Sequence, residues 1–404
     1  MSDLFAPEIS VWQRIEVEAR RVFDLYGYSE IRTPVLEKAS VFERSLGDTT
    51  DVVQKEMYAF EDRGGRRIAL RPEGTAGVIR HVASRGQDAQ DARLYYIGPM
   101  FRAERPQAGR KRQFHQVGSE FMGPPQPAAD AETLALQLHL LQAWGLSGFE
   151  VRINTLGLPS DRPLVQQGLR AALGEQSAAL CDTCRQRLET NVLRVLDCKN
   201  PTCRALVQAL PPVTTWMAPE SRAYLDQVMA WLKRLDINAV VHPALVRGFD
   251  YYVHTVWEIT HSALGAQDAL CGGGRYRIQM GGRDFDGVGF AMGMERVIMA
   301  LQQQNPPAVA AGPMIWLVSL GEPAFQENLV LAQSLRRRGL RCGLDLAGRS
   351  MKAQMRAADR AGATRVVIRG ETEMAKGTFV LKDMAAGSQL ELDLPALMER
   401  LVGA

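Results

Sequence analysis

No stretch of the 404-residue chain approaches the ~18 uninterrupted apolar residues of a membrane span, and no charged-then-apolar export signal opens it. Cysteine is scarce: six residues cannot make a disulfide framework at this length, and Cys271 and Cys342 stand alone as small core residues would. Charge of one sign is missing too. A net charge of +3 neither requires nor excludes a nucleic-acid partner, so local patches must decide. There is no internal repeat. What remains is the composition of a soluble globular protein, 46% hydrophobic and 23% charged, long enough for two or three domains and expected in the cytoplasm.

Four cysteines are grouped, as Cys181-Asp-Thr-Cys184 and Cys198-Lys-Asn-Pro-Thr-Cys203. The C-x2-C and C-x4-C pairs could close a tetrahedral zinc site. The second spacing is unusual and no histidine supports it, so the expectation is no metal, only reduced thiols on a helical insertion.

Apolar residues at Trp12, Ile15, Ala19, Val22, Phe23 and Tyr26 form a helical stripe that ends at Gly27. Tyr28-Ser-Glu-Ile-Arg-Thr-Pro34 then reads as a strand whose proline places it at a sheet edge, where a second subunit is one possible cover. From Arg66 to Phe121 the pattern is strands and loops, including two strands, Leu94 to Arg102 and Arg112 to Phe121, that meet antiparallel across a Gly/Arg/Gln-rich loop. A helix from Asp130 and a strand from Phe149 to Thr155 follow. A mostly helical insertion interrupts them before strand signals resume at Ala239. The proline-broken segment Gln302–Gly312 marks a domain boundary, and beyond it strands alternate with helices as in a small α/β module.

Three arginines sit in odd company. Arg296 falls in the first turn of an apolar helix, facing the positive end of the macrodipole at a cost of ~0.3–1 kcal/mol. Arg102 and Arg247 lie in apolar, strand-like runs. Three semi-buried guanidinium groups suggest a polyphosphate. Alternation along Arg112–Glu120 puts Gln116, Gly118 and Glu120 on one strand face, with Gly118 leaving a gap in which a small elongated ligand could rest between the two polar ends. Glu73, in Arg71-Pro-Glu-Gly-Thr75, is a second acidic candidate, in a turn. Singly, these acids are equally consistent with solvated loop and edge charges. Five cations within residues 102–112 could likewise be a solvated face or a contact to a nucleic-acid backbone.

Taken together, these motifs resemble a family. Tyr28–Pro34, Phe101-Arg102-Ala-Glu104 and Gly293-Met-Glu-Arg296 look like motifs 1, 2 and 3 of class II aminoacyl-tRNA synthetases. Arg71-Pro-Glu-Gly-Thr, Arg112-Gln-Phe-His-Gln and Leu245-Val-Arg-Gly-Phe-Asp-Tyr-Tyr252 are similar to histidyl-tRNA synthetases, and the likeness runs from Asp3 through Gly348-Arg-Ser-Met-Lys352 and Lys376–Asp383. The resemblance implies an α+β chain: a class II antiparallel-sheet catalytic domain at 1–312, with a helical insertion at about 159–225, then an α/β anticodon-binding domain at 313–404. It implies that L-histidine is activated by ATP, as its Mg2+ complex, and passed to tRNA(His) by a homodimer without a tightly bound organic cofactor or a membrane partner.

Carried onto this sequence, the resemblance gives Arg102 the α-phosphate, Arg296 the γ-phosphate and Arg247 the catalytic charge. Glu73, Thr75 and Gln116 would take the α-amino end of histidine, and Glu120, Tyr251 and Tyr252 its imidazole, with Tyr276 completing the wall. Arg105, Arg110 and Arg112 would face the tRNA acceptor end. Two departures stand out: a short glycine-containing stretch before Asp3 is missing, and Tyr276 is followed by Arg277-Ile-Gln-Met where the family has Asp-Gly. The rival is a synthetase-like regulatory subunit of the phosphoribosyltransferase that begins histidine synthesis, which lacks pocket residues and the anticodon module. A more distant one is an adenylating enzyme that uses no tRNA.

Overall fold

The structure, a computed structural model, describes residues 3–47, 50–86, 91–105, 109–265, 268–304 and 314–402. The chain divides into two compact units, Met1–Pro307 and Ala308–Ala404. The helix Met294–Gln303 runs through the start of the expected linker, and residues 305–312 of that linker lie outside the described residues. No helix among the described residues is long and apolar enough to cross a membrane.

The first unit contains eleven strands among its described residues: β1 (Ser29–Glu30), β2 (Leu36–Lys38), β3 (Ala59–Glu61), β4 (Arg67–Leu70), β5 (Arg93–Phe101), β6 (Gln113–Met122), β7 (Phe149–Thr155), β8 (Ala239–Val241), β9 (Tyr252–His261), β10 (Ala269–Met280) and β11 (Arg283–Gly293). Eight of them form one sheet in the order β1-β5-β6-β11-β10-β9-β7-β8, and β2-β4-β3 form a small second sheet. The six central strands are antiparallel, as the loop between β5 and β6 led one to expect, while β1 and β8 join the edges in parallel. The strand before Pro34 is therefore an edge strand.

One face of the large sheet is the main core. Val117, Val288, Phe290, Met292, Trp257 and Ile259 pack there against the helices Glu8–Leu25, Pro127–Ala143, Pro219–Arg234 and Met294–Gln303. The stripe read along the first helix is its buried face. Behind the sheet, Arg275 and Asp130 form a fully buried ion pair, Nε to Oδ1 at 2.7 Å, that ties β10 to the helix Pro127–Ala143.

Two expectations need correction. Residues 66–121 are not only strands and loops, because Thr75–Arg85 is a helix. Its Gly77, a weak helix former, brings the backbone against the Thr33 side chain, where a Cβ would lie at 3.2 Å. The insertion is also shorter than 159–225. Its own core runs from Val165 to Met217, whereas Tyr224, Leu225, Val228 and Leu232 belong to the main core.

In the second unit β12 (Met314–Ser319), β13 (Arg341–Leu344), β14 (Ala363–Arg369), β15 (Thr378–Asp383) and β16 (Gln389–Asp393) form a sheet in the order β13-β12-β14-β15-β16, with the first three strands parallel. The helices Glu322–Arg337 and Met351–Arg360 are the crossovers that parallel strands require.

Candidate active site

Strand register fixes which side chains share the other face of the large sheet. Gln116, Gly118 and Glu120 on β6 stand opposite Gly293, Ala291 and Gly289 on β11, and Ala291, Gly289 and Gly287 stand opposite Gly272, Gly274 and Tyr276 on β10. Directly paired residues point to the same face. The result is a floor almost without side chains, flanked by polar groups from β6 on one side and from β9 and its preceding loop on the other.

Those polar groups lie flat on the glycines. A Cβ at Gly289 would overlap the Glu120 carboxylate, and one at Gly272 would come within 2.9 Å of the Arg247 guanidinium. A Cβ at Gly274 would press on the Tyr252 ring at 3.0 Å, and one at Gly287 would meet the Tyr276 hydroxyl at 2.5 Å. Gly118, expected to leave space for a ligand, is covered instead: the Tyr96 ring, paired with it across β5, fills the gap between Gly118 and Gly74. Gly118, like the β10 and β11 glycines, therefore makes room for a neighbouring side chain and not for a gap over the backbone.

Glu120 is almost wholly buried. The Thr75 hydroxyl donates to its Oε1 at 2.7 Å, while its Oε2 has no hydrogen-bond partner among the described residues. Burial pushes its pKa up to about 8, against the lowering effect of the Thr75 and Tyr276 hydroxyls. The carboxyl thus keeps its proton to higher pH than an ordinary glutamate. Glu73 is also buried, but it caps the helix Thr75–Arg85: Oε2 accepts from the Thr75 amide at 2.7 Å and Oε1 from the Ala76 amide at 2.8 Å. Burial raises its pKa, and those amides and the nearby Arg102 oppose the rise. Gln116 is buried with Oε1 lacking a partner among the described residues.

The three arginines border this floor. Arg102 donates through Nε to the Pro72 carbonyl at 2.9 Å and lies over the Phe114 and Phe249 rings, 5.3 and 5.9 Å from their centroids. Arg247 pairs through Nη1 with Glu258 Oε2 at 3.1 Å, and its buried Nε has no partner among the described residues. Burial works against its charge, but Tyr252 and Glu258 more than offset this and hold its pKa above the ordinary value. Arg296 is in the first turn of its helix, as expected, with Nε on the Ala269 carbonyl at 2.8 Å. Burial and the adjacent Arg110 lower its pKa, while Glu258 opposes them.

The groups are electrostatic neighbours in one continuous series. Arg102 acts on Glu73, Glu73 and Glu120 both act on Tyr251, Glu120 acts on Tyr252, Tyr252 on Arg247, and Glu258 acts on both Arg247 and Arg296. Tyr251, Tyr252 and Tyr276 are buried and in contact, with ring centroids 4.6 Å (251–252) and 5.8 Å (251–276) apart. Arg105, Arg110 and Arg112 are exposed on the β5–β6 loop, where Arg110 pairs with Glu104 at 3.3 Å. Residues 106–108 of that loop lie outside the described residues.

Glu258 and Tyr96 were missed by sequence reasoning, since both matter only through cross-strand register. Glu295 was also missed. It is buried beside Arg296 and accepts from the His115 amide at 3.0 Å, tying β6 to the helix that carries Arg296. The Arg277 departure proves to be on the opposite face from Tyr276, in a two-point pair with Asp286 at 2.8 and 3.1 Å.

A six-stranded antiparallel core presenting arginines from a strand end, a loop and a helix start is the fold of class II aminoacyl-tRNA synthetases. Residues 1–297 match the family model for histidyl-tRNA synthetase and residues 315–403 that for an anticodon binding domain. Histidine–tRNA ligases of Halothermothrix orenii and Nitratidesulfovibrio vulgaris are 43% and 44% identical, over 99% and 100% of this chain and 97% of each relative. The crystal structure of apo S. aureus histidyl-tRNA synthetase superposes with a TM-score of 0.82 at 32% identity, covering 100% of this chain and 98% of that one. The chain belongs to the histidyl-tRNA synthetase family. A Bacillus halodurans structure titled as an ATP phosphoribosyltransferase regulatory subunit/histidyl-tRNA synthetase shares the fold, with a TM-score of 0.66 at 24% identity over 92% of this chain and 97% of that one.

Proposed function

We propose that this chain activates L-histidine with ATP and transfers the histidyl group to tRNA(His). The observation that carries the reading is the set of polar groups facing a glycine floor: buried Glu120 and Gln116, each with an oxygen lacking a partner among the described residues, on one side, and Arg247 and Arg296 on the other. A protonated Glu120 can share its proton with an imidazole nitrogen, so the histidine side chain and the carboxyl satisfy each other in a site that penalises any side chain leaving Oε2 unpaired. Tyr252 and Tyr276 close the walls, while Gln116, Thr75 and Glu73 receive the α-amino end. Glu73 serves there while also capping its helix.

MgATP is the second substrate. A carboxylate oxygen of histidine attacks the α-phosphorus, the bond to the β-phosphate bridging oxygen breaks, and pyrophosphate leaves as histidyl-adenylate forms. Arg247, held by Glu258, meets the negative charge gathering on the α-phosphoryl oxygens, Arg102 binds the α-phosphate and Arg296 the γ-phosphate. The proximity of Arg110 and Arg296 is a like-charge cost that a polyphosphate relieves. The tRNA ribose hydroxyl then attacks the acyl carbonyl, losing its proton, and AMP leaves. Exposed Arg105, Arg110 and Arg112 meet the acceptor end, and the second unit, assigned to 313–404, binds the anticodon. We assign a homodimer, whose second copy covers the β1 edge, and place the activity in the cytoplasm because aminoacyl-tRNA is used there.

Histidine-dependent exchange of pyrophosphate into ATP tests this reading. Folded protein without exchange would favour the regulatory role, which the retained polar site and second unit argue against. Replacing Arg247 with Ala removes one preorganised charge and is expected to lower exchange about 10²–10³-fold with thermal unfolding little changed. Near-normal turnover would strip Arg247 of its role.

A further inference from the structure

The insertion between residues 159 and 217 has a small core of its own, and small units need a staple beyond hydrophobic burial. Four cysteines from three segments converge in it. Cys181 precedes the helix Asp182–Thr190, Cys184 lies within it, Cys198 follows the turn Val192–Val195, and Cys203 lies in the helix Pro201–Gln208. Their Sγ atoms all lie within 4.8 Å of one another, with Cys181 and Cys198 3.9 Å apart. We propose that these four cysteines bind one structural zinc ion through four thiolates.

Several observations separate this from reduced core thiols, the expectation drawn from spacing alone. A zinc–sulfur distance of about 2.3 Å gives a tetrahedron whose edges are about 3.8 Å, which the Cys181–Cys198 distance already matches. The thiols are not joined as disulfides. Cys271 and Cys342, each buried, belong to no such group among the described residues. The Cys181 amide donates to Cys203 Sγ at 3.3 Å, the kind of bond that offsets charge on a metal-bound sulfur and orients it. An all-sulfur set with no ligand position left open favours zinc over oxygen-seeking cations and gives it a structural role.

The clamp also reaches the active-site loop. Cys184 and Cys198 bracket the segment carrying Arg194, whose Nη2 donates to the Gly248 carbonyl at 2.8 Å, next to Arg247. Arg162, at the base of the insertion, donates to the Asp250 and Tyr252 carbonyls at 2.6 and 3.1 Å. Zinc would thus stiffen the support on which the Arg247–Tyr252 loop rests.

Elemental analysis of protein purified without chelator is expected to find about one zinc per chain. The double variant Cys181→Ser/Cys198→Ser should lose it, while Cys271→Ser keeps it. Because the double variant could fail to fold, the wild-type chain loaded with cobalt gives an independent readout: thiolate-to-cobalt charge transfer with the strong visible bands of tetrahedral geometry. Folded wild-type protein with only trace zinc and no such spectrum, iron in place of zinc, or two disulfides by intact mass would each overturn the proposal. None of these readouts depends on aminoacylation.

Discussion

Along β11, positions 288, 290 and 292 are Val, Phe and Met, buried in the main core, whereas 287, 289 and 293 are glycines with Ala291 between them. The back of the sheet needs side-chain volume to bury area. The front needs its absence, so that Glu120, Arg247, Tyr252 and Tyr276 can extend over the backbone from neighbouring elements. Stability and chemistry therefore occupy alternate residues of the same strand, and the period of two keeps them apart.

Adjacent positions test that separation. Gly289→Val would drive its side chain into the Glu120 carboxylate and the Ser119 carbonyl, and is expected to lower histidine-dependent exchange at least ~100-fold, because small misplacements of reacting groups are that costly. Exchange within a few-fold of wild type in the folded variant would break the comparison. Next door, Phe290 is buried and stacks with Phe23 at 6.4 Å. Phe290→Ala is expected to cost about 3–5 kcal/mol in denaturant unfolding while leaving exchange per folded molecule unchanged.

The two faces were also unequally legible in the sequence. Apolar alternation exposes a core strand where polar residues separate the apolar ones, whereas the glycines between Val288, Phe290 and Met292 kept β11 from being read as one. A glycine says only that space is needed. That Gly118 serves the Tyr96 ring follows from the pairing Tyr96↔Gly118 and from Gly74 on the other side of the ring, contacts between segments far apart in the chain. Glu258 reads as an ordinary strand-face acid until β9 is seen beneath Arg247. The three arginines, Gln116 and Glu120 could be found because each offends a local rule or falls in a motif. The helix Thr75–Arg85 was missed because Gly77, needed for contact with Thr33, weakens its local signal. The fourfold meeting of cysteines could be read only as the less favoured of two possibilities, since spacing does not give the path between the two pairs.

Glu120 makes the front face a source of pH-dependent stability. Its native pKa of about 8 lies above the ordinary 4.5, so between these values the folded chain holds a proton that the unfolded chain releases. The contribution is complete below pH 4.5, declines as pH rises, and is exhausted once pH passes through about 8. Glu120→Gln removes this titration and keeps the side-chain shape. Across a series of denaturation curves from pH 5 to 8, the variant is expected to gain stability relative to wild type as pH increases. Parallel curves would mean that Glu120 is ionised in the native site throughout.

The smallest effect is expected where the chain leaves the family pattern. Arg277 follows Tyr276 on β10 but points to the back, where its pair with Asp286 is partly exposed. Partly exposed pairs contribute about 0–1 kcal/mol. What Arg277 gives the site is its backbone amide, which donates to the Tyr251 carbonyl at 2.9 Å and does not depend on the side chain. Arg277→Ala should therefore leave exchange within about twofold and stability within about 1 kcal/mol of wild type. A tenfold loss of exchange at unchanged stability would mean that the side chain reaches across the sheet, and that the faces are coupled where alternation says they are insulated.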